Sequence, residues 1–228
     1  MATPPPLFQT LPVWVFNGVK KHFIRRSFRA QDLVFQEGDS PRSAFVLLSG
    51  LVKMVKFTRR ERPLALEAIT PGRLFGALAL LDRRPFPASA IALTESQADE
   101  IPARVFNDLF ERHPAFARAV HDDIGQHLRH AQSMRTLAQE PAAQRVAGVL
   151  SLLLPRQEDE VRIRREDVAE LAGCIPETAI RVLSDFKKRG LIQTGWKRIS
   201  LKNRTGLDLL LESQRFFVKM PDGVTNRS

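Results

Sequence analysis

Cysteine is almost absent from this sequence. Its 228 residues contain one, Cys174, which excludes a disulfide within the chain and a four-cysteine zinc or iron–sulfur site. We interpret Cys174 as a small buried side chain, with a redox switch as the alternative. No apolar run reaches the roughly 18 residues of a membrane-spanning helix. No basic region followed by an apolar core begins the chain, so we expect a cytoplasmic protein without signal peptide or membrane partner.

Sequence motifs of catalysis are missing as well. The chain contains no Gly-x-Ser-x-Gly, no His-Glu-x-x-His and no glycine-rich phosphate loop. Two carboxylate clusters, Asp122-Asp123 and Glu158-Asp159-Glu160, are interpreted as solvated surface rather than as an active site. No helix combines lysines on one face with tryptophan or phenylalanine on the other, as a membrane-surface protein would. Neither an enzyme, a metal site nor a membrane-surface protein is expected.

Positive charge is what the chain has in excess. Its net charge is +10, which favours a polyanionic partner such as nucleic acid. Arginine-rich surfaces encoded by a GC-rich genome are the alternative explanation. Eight basic residues and one acidic residue, Asp185, lie between Arg181 and Arg204. The C-terminal part of the chain is therefore the expected site of contact with double-stranded DNA.

The region from about Phe28 to Ile101 is predicted to form strands. Its apolar runs are short and are Leu33–Phe35, Ala44–Leu48, Leu51–Phe57 and Ala65–Ile69. The turn signals between them are Glu37-Gly38-Asp39, Ser49-Gly50 and Pro71-Gly72. Short strands with regular turns indicate an antiparallel sandwich or barrel. The preceding segment, Leu11–Arg25, is weakly helical.

Pro114–Gln139 has the pattern of one long helix. Five residues follow a 4-3-4-3 spacing, which is an a/d seam of about three heptads. These residues are Val120, Ile124, His127, Ala131 and Met134. An isolated helix of this length needs a partner, and we expect it both to form a homodimer seam and to pack on its own sandwich. Glu140-Pro141 marks a hinge at 138–141, before a second helix at Ala142–Leu154.

The segment after this helix is predicted to be a winged helix-turn-helix. Arg165–Ala172 is a short helix, Gly173 supplies the tight turn, and Pro176 begins a second helix that Gly190 ends. The strands that follow are Leu191–Gln193 and Arg198–Lys202, around Thr194-Gly195-Trp196, with Val161–Arg164 as a third strand. Lys197 and Arg198 at the hairpin tip suit phosphate contacts.

The second helix of this motif has an apolar and a polar face. Helical spacing turns inward Ala179, Val182, Leu183 and Phe186. It turns outward Glu177, Thr178, Arg181, Asp185 and Lys188. In a major groove, Arg181 can bond both acceptors of guanine and Glu177 can accept from the cytosine amino group. The alternative is an ordinary i,i+4 surface pair, worth ~0.2–0.5 kcal/mol.

These motifs resemble the CRP/FNR (catabolite activator and fumarate–nitrate regulator) family of bacterial transcription factors. REDVAELAGCIPETAIRVLSDFKKRGLI resembles its helix-turn-helix signature, and FQEGD, VLLSGLVKM and PGRLFGALALL resemble its sensor domain. The resemblance implies an α+β homodimer that binds an inverted repeat, with RNA polymerase as a further partner. Each subunit would have an antiparallel β sandwich of the cyclic-nucleotide-binding-like jelly-roll type (1–112), a dimerisation helix and hinge (113–140) and a winged helix-turn-helix (141–228).

The resemblance also implies roles for single residues of the second helix. Glu177 and Arg181 would read bases, and Thr178 and Lys188 would lie near phosphate. A small residue usually precedes the arginine in the family, whereas Ile180 stands here and could touch a thymine methyl. Pro176 replaces a position that is often basic or polar. A G·C pair is thus implied, and the outer bases of the site are open.

The sensor pocket departs more strongly from the family. Members that bind a cyclic nucleotide use the glutamate of Gly-Glu-x-x for the ribose and the arginine of Arg-Ser for the phosphate. Gly76-Ala77-Leu78-Ala79 and Ala88-Ser89 stand at those positions, and burying a phosphate without a cation costs on the order of several kcal/mol. Arg83 and Arg84 could substitute. The pocket residues that the resemblance implies are Phe75, Gly76, Ala77, Leu78, Ala88, Ser89 and His130.

The effector of this sensor is unknown. Cyclic AMP is not expected, because both charged groups are missing. An apolar or small ligand, or no ligand, is the expectation. Haem is a further alternative, with His130 as the histidine that would face the sensor pocket, while the single cysteine excludes an iron–sulfur cluster.

Overall fold

The N-terminal half of the chain folds as two antiparallel sheets that face each other. The computed structural model describes residues 4–57, 63–137, 139–154 and 159–212, with the backbone alone at 63, 130, 131, 133–137 and 212. The strands are β1 (Ile24–Phe28), β2 (Leu33–Phe35), β3 (Ser43–Ser49), β4 (Val52–Phe57), β5 (Pro63–Ile69), β6 (Leu74–Phe75), β7 (Ser89–Ala92) and β8 (Ser96–Pro102). One sheet has the order β1-β8-β3-β6 and the other β2-β7-β4-β5. The predicted antiparallel sandwich is confirmed.

Helices interrupt and flank this sandwich where the sequence predicted strands or weak helix. After a 3-10 turn at Pro6–Phe8, α1 spans Val13–Lys20, and strand structure already begins at Ile24. The short α2 (Ala77–Asp82) follows Gly76, whose φ of +76° suits a residue without a Cβ. α3 (Ala103–Arg112) follows β8 and buries one apolar face.

A long helix, α4 (Pro114–Leu137), follows the sandwich domain as the sequence predicted. Its first half packs on the domain that precedes it. Phe116 stacks on Phe8 with ring centroids 5.7 Å apart and meets Phe106 edge-on at 5.8 Å. Along the described residues, no helix combines the length and hydropathy that crossing a lipid bilayer requires.

The C-terminal part is a helix-turn-helix with a three-stranded wing. Its elements are α5 (Ala142–Leu153), β9 (Glu160–Arg162), α6 (Arg165–Leu171), α7 (Pro176–Lys188), β10 (Ile192–Gly195), β11 (Arg198–Leu201) and α8 (Arg204–Glu212). The wing has the order β10-β11-β9, all antiparallel. Val146, Leu150, Val168, Leu183 and Phe186 are fully buried between its helices. The sequence did not predict α8.

The two halves meet where α6 covers the β4–β5 side of the sandwich. Leu51, Ala68 and Leu93 of the sandwich belong to the same buried cluster as the helix-turn-helix core. Lys53 of β4 faces this junction and is only 4% exposed. The junction therefore buries both apolar groups and a charge.

Candidate nucleic-acid interface and sensor site

The turn between α6 and α7 is fixed by backbone and side-chain hydrogen bonds. Gly173 has φ +59°, and its N–H donates to the Glu170 carbonyl at 3.1 Å. Arg145 of α5 donates through Nη1 to the carbonyls of Ala172 at 3.0 Å and Gly173 at 2.7 Å. Pro176 is the first residue of α7, where its missing N–H needs no partner. The orientation of α7 relative to α5 and α6 is thus determined by contacts within the helix-turn-helix domain.

α7 buries one face and exposes the other. Ala179, Leu183 and Phe186 are at most 1% exposed, and Val182 is partly buried on the same core. The exposed face carries Glu177, Ile180, Arg181, Asp185 and Lys188, with Thr178 at its edge. Ile180 keeps 38% of its surface in water. The predicted base-reading residues therefore share one accessible surface.

Glu177 and Arg181 are not held by each other. Among the described residues no salt bridge involves either side chain, although they stand one helical turn apart. Asp185, the next acid on this face, lies 3.6 Å from Arg189 instead. Both groups are consequently available to an outside ligand, which weakens their interpretation as an ordinary surface pair.

Two of the predicted phosphate-binding residues, Lys197 and Arg198, lie in the wing and differ in whether a carboxylate pairs with them. Gly195 and Arg198 face each other across the ladder, so the tip is Trp196-Lys197 rather than Thr194-Gly195-Trp196. Lys197 is exposed. Arg198 is exposed too, but its Nε lies 3.3 Å from Glu160 Oε1. Lys197 is the less encumbered cation of the two.

The predicted sensor-pocket residues lie where aromatic rings fill the sandwich. A Cβ on Gly76 would stand 3.3 Å from ring carbons of Phe35 and Phe86, and these two rings stack at 3.9 Å. Phe75, Ala77, Ala88 and Ser89 are all at most 5% exposed. The Ser89 hydroxyl accepts from the Glu37 N–H at 2.9 Å.

Two further sensor predictions do not join this site. Leu78 is 48% exposed, because α2 turns it towards solvent rather than into the sandwich. The side chain of His130 lies outside the part that the structure describes. An open depression of about 420 Å³ lies elsewhere on the sandwich and shares only Ser89 with the predicted set. It is lined by Leu33, Gln36, Glu37, Phe57, Ser89 and Ile91.

Part of the predicted dimer seam on α4 packs against the sandwich domain of the same subunit. Val120 has no exposed surface and belongs to the sandwich domain's core, so its assignment to a dimer seam is corrected. Ile124 is partly buried against the same core. The side chains of Ala131 and Met134 are outside the described residues. The heptad spacing located the stripe but not which neighbour it faces.

His127 anchors α4 to the sandwich. Its Nδ1 lies 2.8 Å from both carboxylate oxygens of Glu67, and its Nε2 lies 3.0 Å from Asp123 Oδ2 and 3.2 Å from the Leu74 carbonyl. Burial alone would lower the pKa of this imidazole, but hydrogen bonds and charge from Asp123 and Glu67 raise it to about 9. The ring is therefore a doubly donating imidazolium at neutral pH.

Sequence reasoning missed a buried charge cluster at the domain junction. Lys53 Nζ is bonded to Glu170 Oε2 at 2.5 Å and lies 3.5 Å from Asp167 Oδ1. Asp167 is 1% exposed and also receives two hydrogen bonds from Arg164, at 2.7 and 2.8 Å. The other oxygen of Glu170 is buried without a hydrogen bond. No local sequence signal points to this cluster, since Lys53 lies more than a hundred residues before its partners on α6.

Cys174 and the carboxylates offer little further chemistry. Partial burial raises the pKa of the Cys174 thiol, which favours the protonated and less reactive form. Within the described ranges, no group of three or more His, Cys, Asp and Glu side chains is placed to hold a metal ion.

Comparison with known proteins covers both halves of the chain. The cyclic nucleotide-binding domain family matches residues 25–113, and the Crp-like helix-turn-helix domain family matches residues 144–210. A cyclic AMP receptor protein of Thermus thermophilus is 30% identical, over 83% of this chain and 89% of that protein.

Solved structures of this fold match the chain along most of its length. A CRP-family transcriptional regulator of Thermus thermophilus matches with a TM-score of 0.69 at 25% identity, covering 82% of this chain and 96% of that one. FixK2 of Bradyrhizobium japonicum has the same fold, with a TM-score of 0.74 at 22% identity and the same coverage.

Proposed function

Because the chain belongs to the CRP/FNR family of transcription regulators, we propose that it binds an inverted-repeat DNA site as a homodimer and reads that site with α7. The two copies of α7 would enter successive major grooves about 34 Å apart. The chain would divide into a sensor domain (1–112), a dimerisation helix with hinge (113–140) and a DNA-binding domain (141–228).

The observation that carries this proposal is that Arg181 and Glu177 are exposed and form no salt bridge with any described residue. A guanidinium that no carboxylate holds can bond the two acceptors of guanine, and a free carboxylate can accept from the opposite cytosine. Ile180 between them supplies an apolar contact for a thymine methyl. Together the three side chains would favour G·C at the centre of each half-site.

Other polar and charged side chains of this domain would position it on the DNA backbone. Thr178 and Lys188 flank the reading face of α7, and Lys197 lies at the wing tip. Such contacts add affinity and salt dependence without reading sequence. Arg198 would be a weaker contact, because Glu160 partly neutralises it.

The sensor domain would not take cyclic AMP in the usual way. Gly76-Ala77-Leu78-Ala79 and Ala88-Ser89, where the ligand is expected, carry no charged side chain, and Arg83 and Arg84 are exposed to solvent. The rings of Phe35 and Phe86 pack against Gly76. Room and countercharge for a phosphate are both missing there. A signal would instead be an apolar or small ligand, or the abundance of the protein itself. RNA polymerase would be the second macromolecular partner.

The first test is a selection from a random DNA pool, using the purified protein at near-physiological salt without added ligand. Recovery of an inverted repeat with G·C pairs one helical turn apart is the expected result. Recovery of no preferred sequence, also after addition of cyclic nucleotides, would contradict the proposal.

The second test determines whether Arg181 recognises a base. Arg181→Ala should weaken binding to the selected site by ~1–3 kcal/mol and relax one G·C preference. Arg104→Ala is the matched control, because it removes the same charge from the exposed surface of α3. If both variants lost affinity equally for selected and scrambled duplexes, Arg181 would not be a base reader.

A further inference from the structure

Trp196 stands at the tip of the wing with its indole in water. It is 86% exposed, the largest exposed fraction among the exposed large apolar side chains of the described residues. Single exposed apolar residues are common on soluble proteins, so exposure alone does not identify a contact. The conformation of the wing tip, its attachment to α7 and the neighbouring Lys197 indicate that Trp196 is a contact residue.

The tip that carries Trp196 is fixed and strained. Lys197 adopts φ +49°, a left-handed conformation that is unfavourable for a residue with a Cβ. Its carbonyl accepts from the Ile163 N–H at 3.0 Å, which ties the tip to the strand beside it. A strained conformation persists only where the surrounding structure enforces it, and such positions concentrate at ligand contacts.

The wing is also tied to the reading helix. The Leu191 N–H donates to the Phe186 carbonyl of α7 at 2.9 Å, and the Leu191 carbonyl accepts from Lys202 at 2.8 Å and Asn203 at 3.1 Å. β10 therefore starts, and β11 ends, beside the C-terminal end of α7. When α7 lies in a groove, Trp196 is held at a fixed offset from it.

The tip combines an aromatic face with an unneutralised cation. Lys197 Nζ lies 4.5 Å from the centroid of the Trp196 ring, a cation–π distance. No carboxylate among the described residues forms a salt bridge with Lys197. Nucleic acid offers the complementary pair of groups, which are flat apolar sugar and base edges beside a phosphate.

We propose that Trp196 is a direct DNA contact, packing its indole on the minor-groove wall beside the segment that α7 reads while Lys197 binds the adjoining phosphate. This inference rests on the proposed DNA-binding function. It adds an apolar contact that carries no charge and reads no base, which separates it from the contacts of Arg181 and Lys188.

The affinity test uses two neighbouring substitutions and their different salt responses. Trp196→Ala should weaken binding to selected and scrambled duplexes alike, by at least about fivefold, which corresponds to roughly 40 Å² of apolar surface that is no longer buried. Its slope of log affinity against log salt should equal that of the wild type. Lys197→Ala should make that slope shallower by about 1.8, since a dimer loses two phosphate contacts that each contribute about 0.9 to its magnitude.

The direct test uses the protein's only two tryptophans, Trp14 and Trp196. In Trp14→Phe, the remaining Trp196 emission should fall in proportion to the selected duplex bound, as measured by anisotropy of labelled DNA. In Trp196→Phe, the remaining Trp14 emission on α1 should stay constant.

Unchanged Trp196 emission while anisotropy shows bound DNA would overturn the inference and leave the proposed function standing. Wild-type affinity of Trp196→Ala would do the same. If that variant bound DNA normally but altered transcription in the presence of RNA polymerase, the indole would contact a protein instead. Failure of the wild type to bind any duplex would reject the proposed function as well.

Discussion

The interior of the sandwich and the junction between the sandwich and α6 are both closed to water, yet their chemistry is opposite. In the interior, Phe35 stacks on Phe86, and Phe75 and Phe45 pack beside them. At the junction, Lys53 meets carboxylates of α6. Stacked rings exclude a charged ligand, whereas a buried ion cluster depends on every member. The junction is thus sensitive to the loss of a charge, whereas the sandwich interior is sensitive to the loss of apolar volume.

The apolar region can be tested with Phe86→Ala. The ring is 5% exposed and stacks at 3.9 Å on Phe35, so its removal leaves a cavity and should lower the free energy of unfolding by ~3–5 kcal/mol. Phe57→Ala is the control, because Phe57 of β4 is 50% exposed and the change should cost under about 1 kcal/mol. Urea unfolding at fixed protein concentration measures both; equal losses would show that the interior is not tightly filled.

The charged region can be tested with Lys53→Met. This change leaves Glu170 buried without its cation and should cost about 3 kcal/mol of unfolding free energy. Lys56→Met on the same strand is the control: its side chain is 54% exposed in a 3.3 Å pair with Glu37, and such pairs contribute about 0–1 kcal/mol.

A double variant sharpens the result. Lys53→Met with Glu170→Met removes both charges, while Asp167 keeps its two bonds from Arg164. Most of the loss should be recovered, because apolar replacement of a buried pair is often neutral. If the double variant lost as much as the sum of the single ones, the two side chains would not interact.

A smaller effect is expected where α4 is anchored by His127. Its pKa is raised from 6.5 to about 9 by Glu67 and Asp123. The stabilisation from the protonated ring is therefore complete below about pH 6.5 and is lost as the pH rises through about 9. His127→Gln should be less stable than the wild type by about 1–3 kcal/mol at pH 6, and the two should converge near pH 10. Parallel stability curves from pH 6 to 10 would contradict this assignment.

Local signals in the sequence predicted much of the DNA-binding half. Gly173, Pro176 and Gly190 are turn and boundary residues whose conformational preferences act within a few positions. α6 ends shortly before Gly173, while α7 begins at Pro176 and ends shortly before Gly190. The sandwich strands followed from short apolar runs in the same way. α2 was missed because six residues between two strands are too few for a helical period to show.

Contacts between distant segments could not be predicted. The spacing of Val120 and His127 defines one helical stripe, but only the fold shows that the sandwich of the same subunit receives it. Lys53 occupies an ordinary strand position, and α6, which neutralises it, follows more than a hundred residues later. The sensor site differed for a related reason. The resemblance located Gly76 and Ser89, but Phe35, which packs against Gly76 and stacks on Phe86, comes from the distant strand β2.

The position of β5 at one edge of its sheet has a mechanical consequence. A single ladder, to β4, holds this strand, so a sliding displacement breaks fewer hydrogen bonds there than in a central strand. Its Glu67 bonds His127 of α4, while its Ala65 and Ala68 lie against the C-terminal core. A displacement of β5 along that ladder would therefore move its contact with α4 and its contacts with the DNA-binding domain at the same time, which couples the two mechanically.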